Sequence, residues 1–131
     1  MTEEKQLVEA IIEGIQERKG KSITHVDMSD IEGATTRGFV ICTGSSTMQV
    51  SAIADSVREY VLGKISVKPF NYDGYRNSQW IVLDYGTIYV HVFLPEFREL
   101  YKLEHEVVKQ FFHLFFYSRE FFKRFAVVVG Q

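Results

Sequence analysis

The chain has 131 residues, a mass of 15.2 kDa and a formal net charge of −2, from 15 basic and 17 acidic side chains. This length allows one domain, and the 46% apolar and 24% charged content excludes a disordered chain, a collagen-like repeat and a coiled-coil rod. A single cysteine excludes an intramolecular disulfide, and the acidic start differs from a signal peptide, so we expect a cytoplasmic protein.

Two helices and two strands are predicted in the first half of the chain. Apolar residues recur with the helical period across residues 2–19. Residues 22–28 have the pattern of a short strand. Residues 38–43 form a nearly continuous apolar run, which is typical of a strand buried on both faces. Ser46 and Gln49 have the spacing of a capping box, so a second helix should begin there.

The remaining elements complete a mixed sheet. A strand, a crossover helix and a second strand form a βαβ unit, so residues 66–72 should pair in parallel with residues 38–43. Residues 79–85 and 87–94 are strand-forming runs that meet at a Tyr-Gly pair, which predicts an antiparallel hairpin. Residues 96–104 have a helical pattern. The expected fold is one α/β domain, a mixed β-sheet with helices packed on it.

The predicted hairpin is the strongest candidate for a functional surface. Alternation places Trp80 and Asp84 on one face of its first strand, and Tyr89, His91 and Phe93 on one face of its second. Aromatic side chains beside a carboxylate are typical of a surface that contacts another protein. Trp80 could instead fill the core beneath a helix, and periodicity does not separate these two alternatives.

Sequence signals for catalysis are weak. Gly44 and Ser45 form a turn before a helix, as in nucleotidyltransferases, but those enzymes hold two metal ions with closely spaced carboxylates on the next strand. Asp84 is an isolated carboxylate, and no histidine pair has metal-ligand spacing. We therefore expect no enzyme activity, cofactor or metal. The alternative is a nucleotide-binding or nucleotidyl-transferring enzyme that uses Gly44 and Ser45 as its phosphate turn and Asp84 as a metal ligand.

Charge and apolar content are uneven along the chain. Residues 1–32 carry four basic and eight acidic side chains, which could form a solvated helix face or a surface for a basic partner. Residues 105–131 hold seven of the 11 phenylalanines. The apolar stretches in this segment are too short to span a membrane. We expect a domain over residues 1–104, followed by a helical Phe-rich extension that packs on it or on a second copy in a homodimer.

Two long stretches carry a family resemblance. Residues 39–61 read FVICTGSSTMQVSAIADSVREYV, and residues 79–104 read QWIVLDYGTIYVHVFLPEFRELYKLE. They closely resemble the ribosomal silencing factor family, also called the Iojap family, and the resemblance extends over about residues 7–104. It implies an α/β domain similar to nucleotidyltransferases without their catalytic carboxylates, and a protein that is not an enzyme.

The resemblance also implies a function in translation. Members of the family bind large-subunit ribosomal protein fourteen and sterically block joining of the small subunit, which represses translation, and a role in large-subunit biogenesis is also proposed. It implies no cofactor, no metal, no membrane and no sequence-specific nucleic acid. Some residues of the matched motif should contact the partner and others should hold the hairpin in place: Trp80, Asp84, Tyr85, His91, Phe93, Glu96, Arg98 and Tyr101.

Three positions depart from the family pattern. Arg37 and Gly38 replace an Asp-Tyr pair that usually precedes the first matched strand, and Thr87 replaces an Asp after the hairpin turn. Each of the two replaced Asp residues would have been negatively charged, so Arg37 and Thr87 both remove negative charge from a surface that should meet a basic partner. The Phe-rich extension replaces the short polar tail that is usual in the family.

Overall fold

The computed structural model describes residues 3–29 and 37–101. Within these ranges lie three helices: α1 (Glu3–Glu17), α2 (Thr47–Ile65) and α3 (Pro95–Tyr101). The strands of the same ranges are β1 (Lys21–Asp27), β2 (Gly38–Thr43), β3 (Asn71–Asp73), β4 (Trp80–Asp84) and β5 (Ile88–Phe93). The predicted connection at residues 30–36 and the predicted extension at residues 105–131 lie outside the described residues.

The strands form one mixed sheet in the order β1-β2-β5-β4-β3. The pair β2 and β5 is parallel, whereas the other neighbouring pairs are antiparallel. The predicted hairpin is confirmed, because β4 and β5 pair in antiparallel register and join at a turn that contains Gly86. The prediction of a single α/β domain with a mixed sheet is confirmed as well.

The predicted parallel pairing of residues 66–72 with β2 is wrong. Only Asn71–Asp73 is a strand in this part of the chain, and it pairs in antiparallel register with β4 at one edge of the sheet. The place beside β2 is taken by β5, whose six residues are all buried. A central position buries both faces of a strand, so it favours this longer apolar run over a short strand that follows Pro69, which has no N–H to donate.

Helices α1 and α2 cover one face of the sheet and enclose the main core. Alternate residues of each central strand point toward these helices, among them Val40 and Cys42 of β2, Ile81 and Leu83 of β4, and Ile88, Val90 and Val92 of β5. The thiol of Cys42 is buried, and burial raises its pKa to about 12. This side chain is therefore a packing residue that stays protonated at neutral pH.

The start of α2 confirms half of the predicted capping box. The Ser46 hydroxyl accepts a hydrogen bond from the Gln49 backbone N–H at 3.1 Å, as expected for an N-cap. The Gln49 amide oxygen accepts from the Ser45 N–H at 2.6 Å rather than from the N–H of Ser46, and its Nε2 donates to the Arg18 carbonyl oxygen. Gln49 therefore connects the start of α2 to the end of α1.

Candidate functional site

The sheet face opposite α1 and α2 carries an aromatic cluster on its central strands. The ring centroids of Trp80 and Phe93 lie 4.7 Å apart in a stacked arrangement. The His91 ring lies 5.4 Å from the ring of Phe39, which meets it edge-on. The alternation predicted for β4 and β5 is therefore confirmed, because these residues share one face and their sequence neighbours pack against the helices.

A buried hydrogen bond joins the two strands of the hairpin. Trp80 Nε1 donates to His91 Nδ1 at 2.9 Å, and the two side chains are 1% and 0% exposed. Burial lowers the pKa of His91 to about 3, so its ring is neutral at pH 7 and carries its proton on Nε2. Of the two alternatives for Trp80, the structure selects the interior position.

Asp84 lies where β4 leads into the hairpin turn. Its carboxylate accepts a hydrogen bond from the Gly86 N–H at 2.7 Å and another from the Tyr89 hydroxyl on the opposite strand. The side chain is half-buried, and this burial raises the pKa of Asp84. The carboxylate therefore both fixes the turn and reaches the protein surface beside it.

The eight residues carried over from the family motif do not form one continuous surface. Trp80, His91 and Phe93 lie inside the aromatic cluster, and Tyr85 is buried on the helix-covered face. Only Asp84 of this set reaches the surface near the turn. The expectation that these four buried residues touch the partner directly is therefore corrected, because they occupy interior positions. That they affect binding by holding the hairpin in place stays a prediction.

The other three residues of that set lie on α3, after the opposite end of β5. Glu96 is exposed in the first turn of this helix. The Arg98 guanidinium donates to the Ser22 carbonyl oxygen and, at 3.0 Å, to the Thr24 hydroxyl, so it holds α3 against β1. Tyr101 is the last residue of α3, and its side chain is outside the described part of the structure.

The parts of the alternative enzyme site lie far apart. The Gly44 N–H donates to the Phe93 carbonyl oxygen at one end of the sheet, whereas Asp84 pairs with Tyr89, which in turn pairs with Phe39. Five residues of extended chain separate Phe39 from Gly44, which corresponds to about 16 Å at about 3.3 Å per residue. This separation disfavours a site that uses Asp84 together with the Gly44 turn.

Within residues 3–29 and 37–101, no group of three or more His, Cys, Asp or Glu side chains could hold a metal ion. No helix of these ranges is long and apolar enough to cross a membrane.

Sequence reasoning missed two features outside the hairpin. Phe70 is 82% exposed just before β3, although its position in a predicted strand gave no reason to expect an unburied ring. Arg58 of α2 is half-buried, and its guanidinium lies 4.1 Å from the centroid of the Tyr72 ring. The sequence signal for both is the spacing of Phe70 and Tyr72, because residues two apart in an extended segment point to the same side.

These observations define a single-domain α/β protein with a five-stranded mixed sheet, helices on one face and a hydrogen-bonded aromatic cluster on the other. Residues 1–105 match the family described as ribosomal silencing factor during starvation, RsfS. The chain belongs to the ribosomal silencing factor family.

Individual relatives agree with this assignment. The chain is 37% identical over 98 residues to ribosomal silencing factor RsfS of Haemophilus influenzae, covering 75% of this chain and 94% of that protein. A crystal structure of a Chromobacterium violaceum protein has a TM-score of 0.73 and 31% identity, covering 79% of this chain and 84% of the other. The mouse protein named mitochondrial assembly of ribosomal large subunit protein 1 is 35% identical over 68 residues, which cover 50% of this chain and 30% of that protein.

Proposed function

We propose that this protein binds the large ribosomal subunit through large-subunit ribosomal protein fourteen and sterically blocks association with the small subunit, thereby repressing translation. The observation that carries this proposal is the match of residues 1–105 to the ribosomal silencing factor family. The name of the mouse relative, which refers to assembly of a ribosomal large subunit, supports the choice of subunit. A role in large-subunit biogenesis belongs to the same proposal.

Occlusion needs a rigid surface rather than a reactive group. The buried hydrogen bond between Trp80 and His91 fixes the two hairpin strands against each other, and Asp84 is held at the turn by Gly86 and Tyr89. We propose that the hairpin turn is presented to the ribosomal protein in this fixed geometry, with the carboxylate of Asp84 facing a basic side chain. No cofactor or metal takes part.

Charge should assist the encounter. Helix α1 carries five glutamates and one lysine, and a basic ribosomal protein is attracted to such a field before contact. We place the protein in the cytoplasm, where it meets free subunits. Residues 105–131 could join two copies in a homodimer, and neither role requires a sequence-specific contact to nucleic acid.

Sedimentation of purified subunits tests the proposal directly. Large and small subunits are mixed with and without the protein, and the fraction of joined ribosomes is read from a sucrose gradient. We expect the protein to keep the subunits apart and to sediment with the large subunit. Unchanged joining at saturating protein would contradict the proposal.

A charge variant examines the proposed surface. Asp84→Asn keeps an oxygen that can accept from the Gly86 N–H but removes the negative charge, so it should weaken binding several-fold and reduce the dependence of affinity on salt. The matched control is Glu59→Gln, because Glu59 is exposed on α2 and is not a residue of the hairpin. Equal affinities for the two variants would remove Asp84 from the binding surface.

A further inference from the structure

An open groove of about 860 Å³ lies beside the hairpin turn, between the start of α1, the segment before β3 and the β4–β5 connection. Its apolar part consists of Leu7, Ile65, Val67, Phe70 and Tyr85. Leu7 and Tyr85 belong to the main core, and Ile65 and Val67 pack against that core. The apolar part of the groove is therefore a continuation of the core that reaches the surface.

Phe70 forms an exposed wall of this groove, and its backbone is held by the sheet. Its backbone N–H donates to the Asp84 carbonyl oxygen at 2.7 Å, which extends the pairing of β3 and β4 by one residue. Its ring lies over the turn, where a Cβ added to Gly86 would be 2.9 Å from the ring carbon Cε2. The side chain is nevertheless 82% exposed. Because the backbone of Phe70 is already held by this pairing, only its side-chain torsions lose freedom when a partner covers the ring.

The charges of the groove are mainly acidic. Glu3 and Glu4 line it, and no lysine or arginine of the described ranges is among the lining residues. Arg37 pairs with Glu4 at 3.3 Å, whereas Glu3 has no ion pair within the described part of the chain. An apolar floor with acidic carboxylates beside it complements a basic segment that carries an apolar side chain, and it repels the phosphates of RNA.

We propose that this groove, hereafter the Phe70 groove, binds a basic protein segment exposed on the large ribosomal subunit. An apolar side chain of that segment packs against the Phe70 ring, and a neighbouring lysine or arginine pairs with Glu3. The inference rests on the proposed function and adds a second contact to it, because Asp84 and the Phe70 groove flank the same hairpin turn. The two contacts together would fix the orientation of the protein on the subunit.

Binding of matched variants to purified large subunits tests this contact by sedimentation. We expect Phe70→Ser to weaken binding about tenfold, as is common for a central aromatic contact. The matched control is Met48→Ser, since Met48 is 80% exposed and lies in the first turn of α2. Likewise Glu3→Lys should weaken binding, and Glu59→Lys should not. Because Phe70 is so exposed, its replacement should leave the thermal midpoint of unfolding unchanged.

A photo-crosslinking residue in place of Phe70 identifies the occupant. A crosslink to a protein segment with Lys or Arg beside an apolar residue supports the proposal. Crosslinks to ribosomal RNA, to a second copy of this chain or to residues 102–131 overturn it, as does full affinity of Phe70→Ser. If the parent binds large subunits but only Asp84→Asn is weakened, the proposed function stands and the Phe70 groove fails. If the parent does not bind large subunits, both fail.

Discussion

The pair of Trp80 and His91 shows how a polar group is accommodated in the interior. A buried imidazole without a partner would lose its hydrogen bonds with water, but its Nδ1 accepts the indole N–H at 2.9 Å. The pair also joins β4 to β5 across the sheet, in addition to the backbone ladder. A histidine in this hairpin is thus a structural residue, and its neutral state is part of the native fold.

We expect the free energy of unfolding to depend on pH through His91. Its pKa is about 3 in the folded protein, against about 6.5 in an unfolded chain, so the unfolded state binds the additional proton between these values. Stability should therefore be greatest above pH 6.5 and fall as the pH decreases, by at most about 1.4 kcal/mol per pH unit. Urea unfolding at several pH values between 5.5 and 8 measures this slope.

His91→Asn is the control for that slope. The asparagine oxygen can occupy the place of Nδ1 and accept from Trp80, but it does not titrate. Burial raises the pKa values of Asp73 and Asp84, and these groups act with the opposite sign because the folded state binds their protons more tightly. Parent and variant both carry these two groups, so the difference between their slopes isolates the contribution of His91. Parallel pH profiles for parent and variant would refute the role assigned to His91.

Replacement of Trp80 should act on stability before it acts on binding. The side chain is 1% exposed, stacks on Phe93 and donates to His91, so Trp80→Ala leaves a cavity and an unpaired acceptor. We expect a loss of about 3–5 kcal/mol in the free energy of unfolding. Trp80→Phe should lose less, because it keeps most of the apolar contact. Chemical denaturation of both variants measures the difference, and a loss below about 1 kcal/mol for Trp80→Ala would place Trp80 outside the core.

At the scale of elements, the contact between α1 and α2 depends on a close backbone approach. The Ser56 hydroxyl donates to the Gly14 carbonyl oxygen at 2.7 Å, and a Cβ added to Gly14 would lie 2.9 Å from Val57 Cα, so the two helices approach closely at this glycine. Nearby, the Tyr60 hydroxyl donates to the Glu13 carboxylate, and Lys64 lies 3.6 Å from the same carboxylate. The hydrogen bond from Tyr60 lowers the pKa of Glu13. The polar contacts thus fix which faces of the helices meet.

Two glycine substitutions should have opposite effects. A Cβ at position 14 would lie 2.9 Å from Val57 Cα in the backbone of α2, so Gly14→Ala should separate the helices and lower stability by about 1–3 kcal/mol. At Gly63 an added Cβ meets nothing within 4 Å, so Gly63→Ala should raise stability by up to about 1 kcal/mol through helix propensity. Urea unfolding of the two variants is sufficient. A stabilised Gly14→Ala would show that the helices do not pack so closely.

At the scale of the whole molecule, the two candidate functional regions lie at opposite ends of the sheet. The hairpin turn carries Asp84 and the Phe70 groove, whereas Gly44 and α3 lie at the other end of β5. A protein that blocks subunit joining needs only one such end to contact the ribosome. Catalysis of nucleotidyl transfer would instead require residues from both ends in one site.

The protein should therefore show no stabilisation by nucleotides. A ligand at a hundred times its dissociation constant adds about 2.7 kcal/mol to the free energy of unfolding, which is readily seen as a shift in the thermal midpoint. We expect no shift with ATP, GTP, CTP or UTP and Mg²⁺. A shift that disappears in Asp84→Asn would restore the enzyme alternative, whereas one unaffected by this substitution would indicate a different nucleotide site.

The sequence by itself determined the local structure. Helical periodicity placed α1 and α2, alternation assigned the faces of β4 and β5, and Ser46 marked the N-cap of α2. These features depend on residues within a few positions of each other along the chain, so a pattern in the sequence suffices to predict them. The two long motif stretches also carried the family resemblance, and the match of residues 1–105 to that family confirms it.

The tertiary structure decided which strands are neighbours and which side chains stay exposed. Residues 66–72 had a plausible strand pattern, but competition for the central position gave the place beside β2 to the more apolar β5. Trp80 became a core residue and Phe70 a surface residue, although the sequence left open whether Trp80 was buried or exposed. Such outcomes depend on contacts between distant parts of the chain, since burial is set by what packs over a residue and not by its own neighbours in sequence.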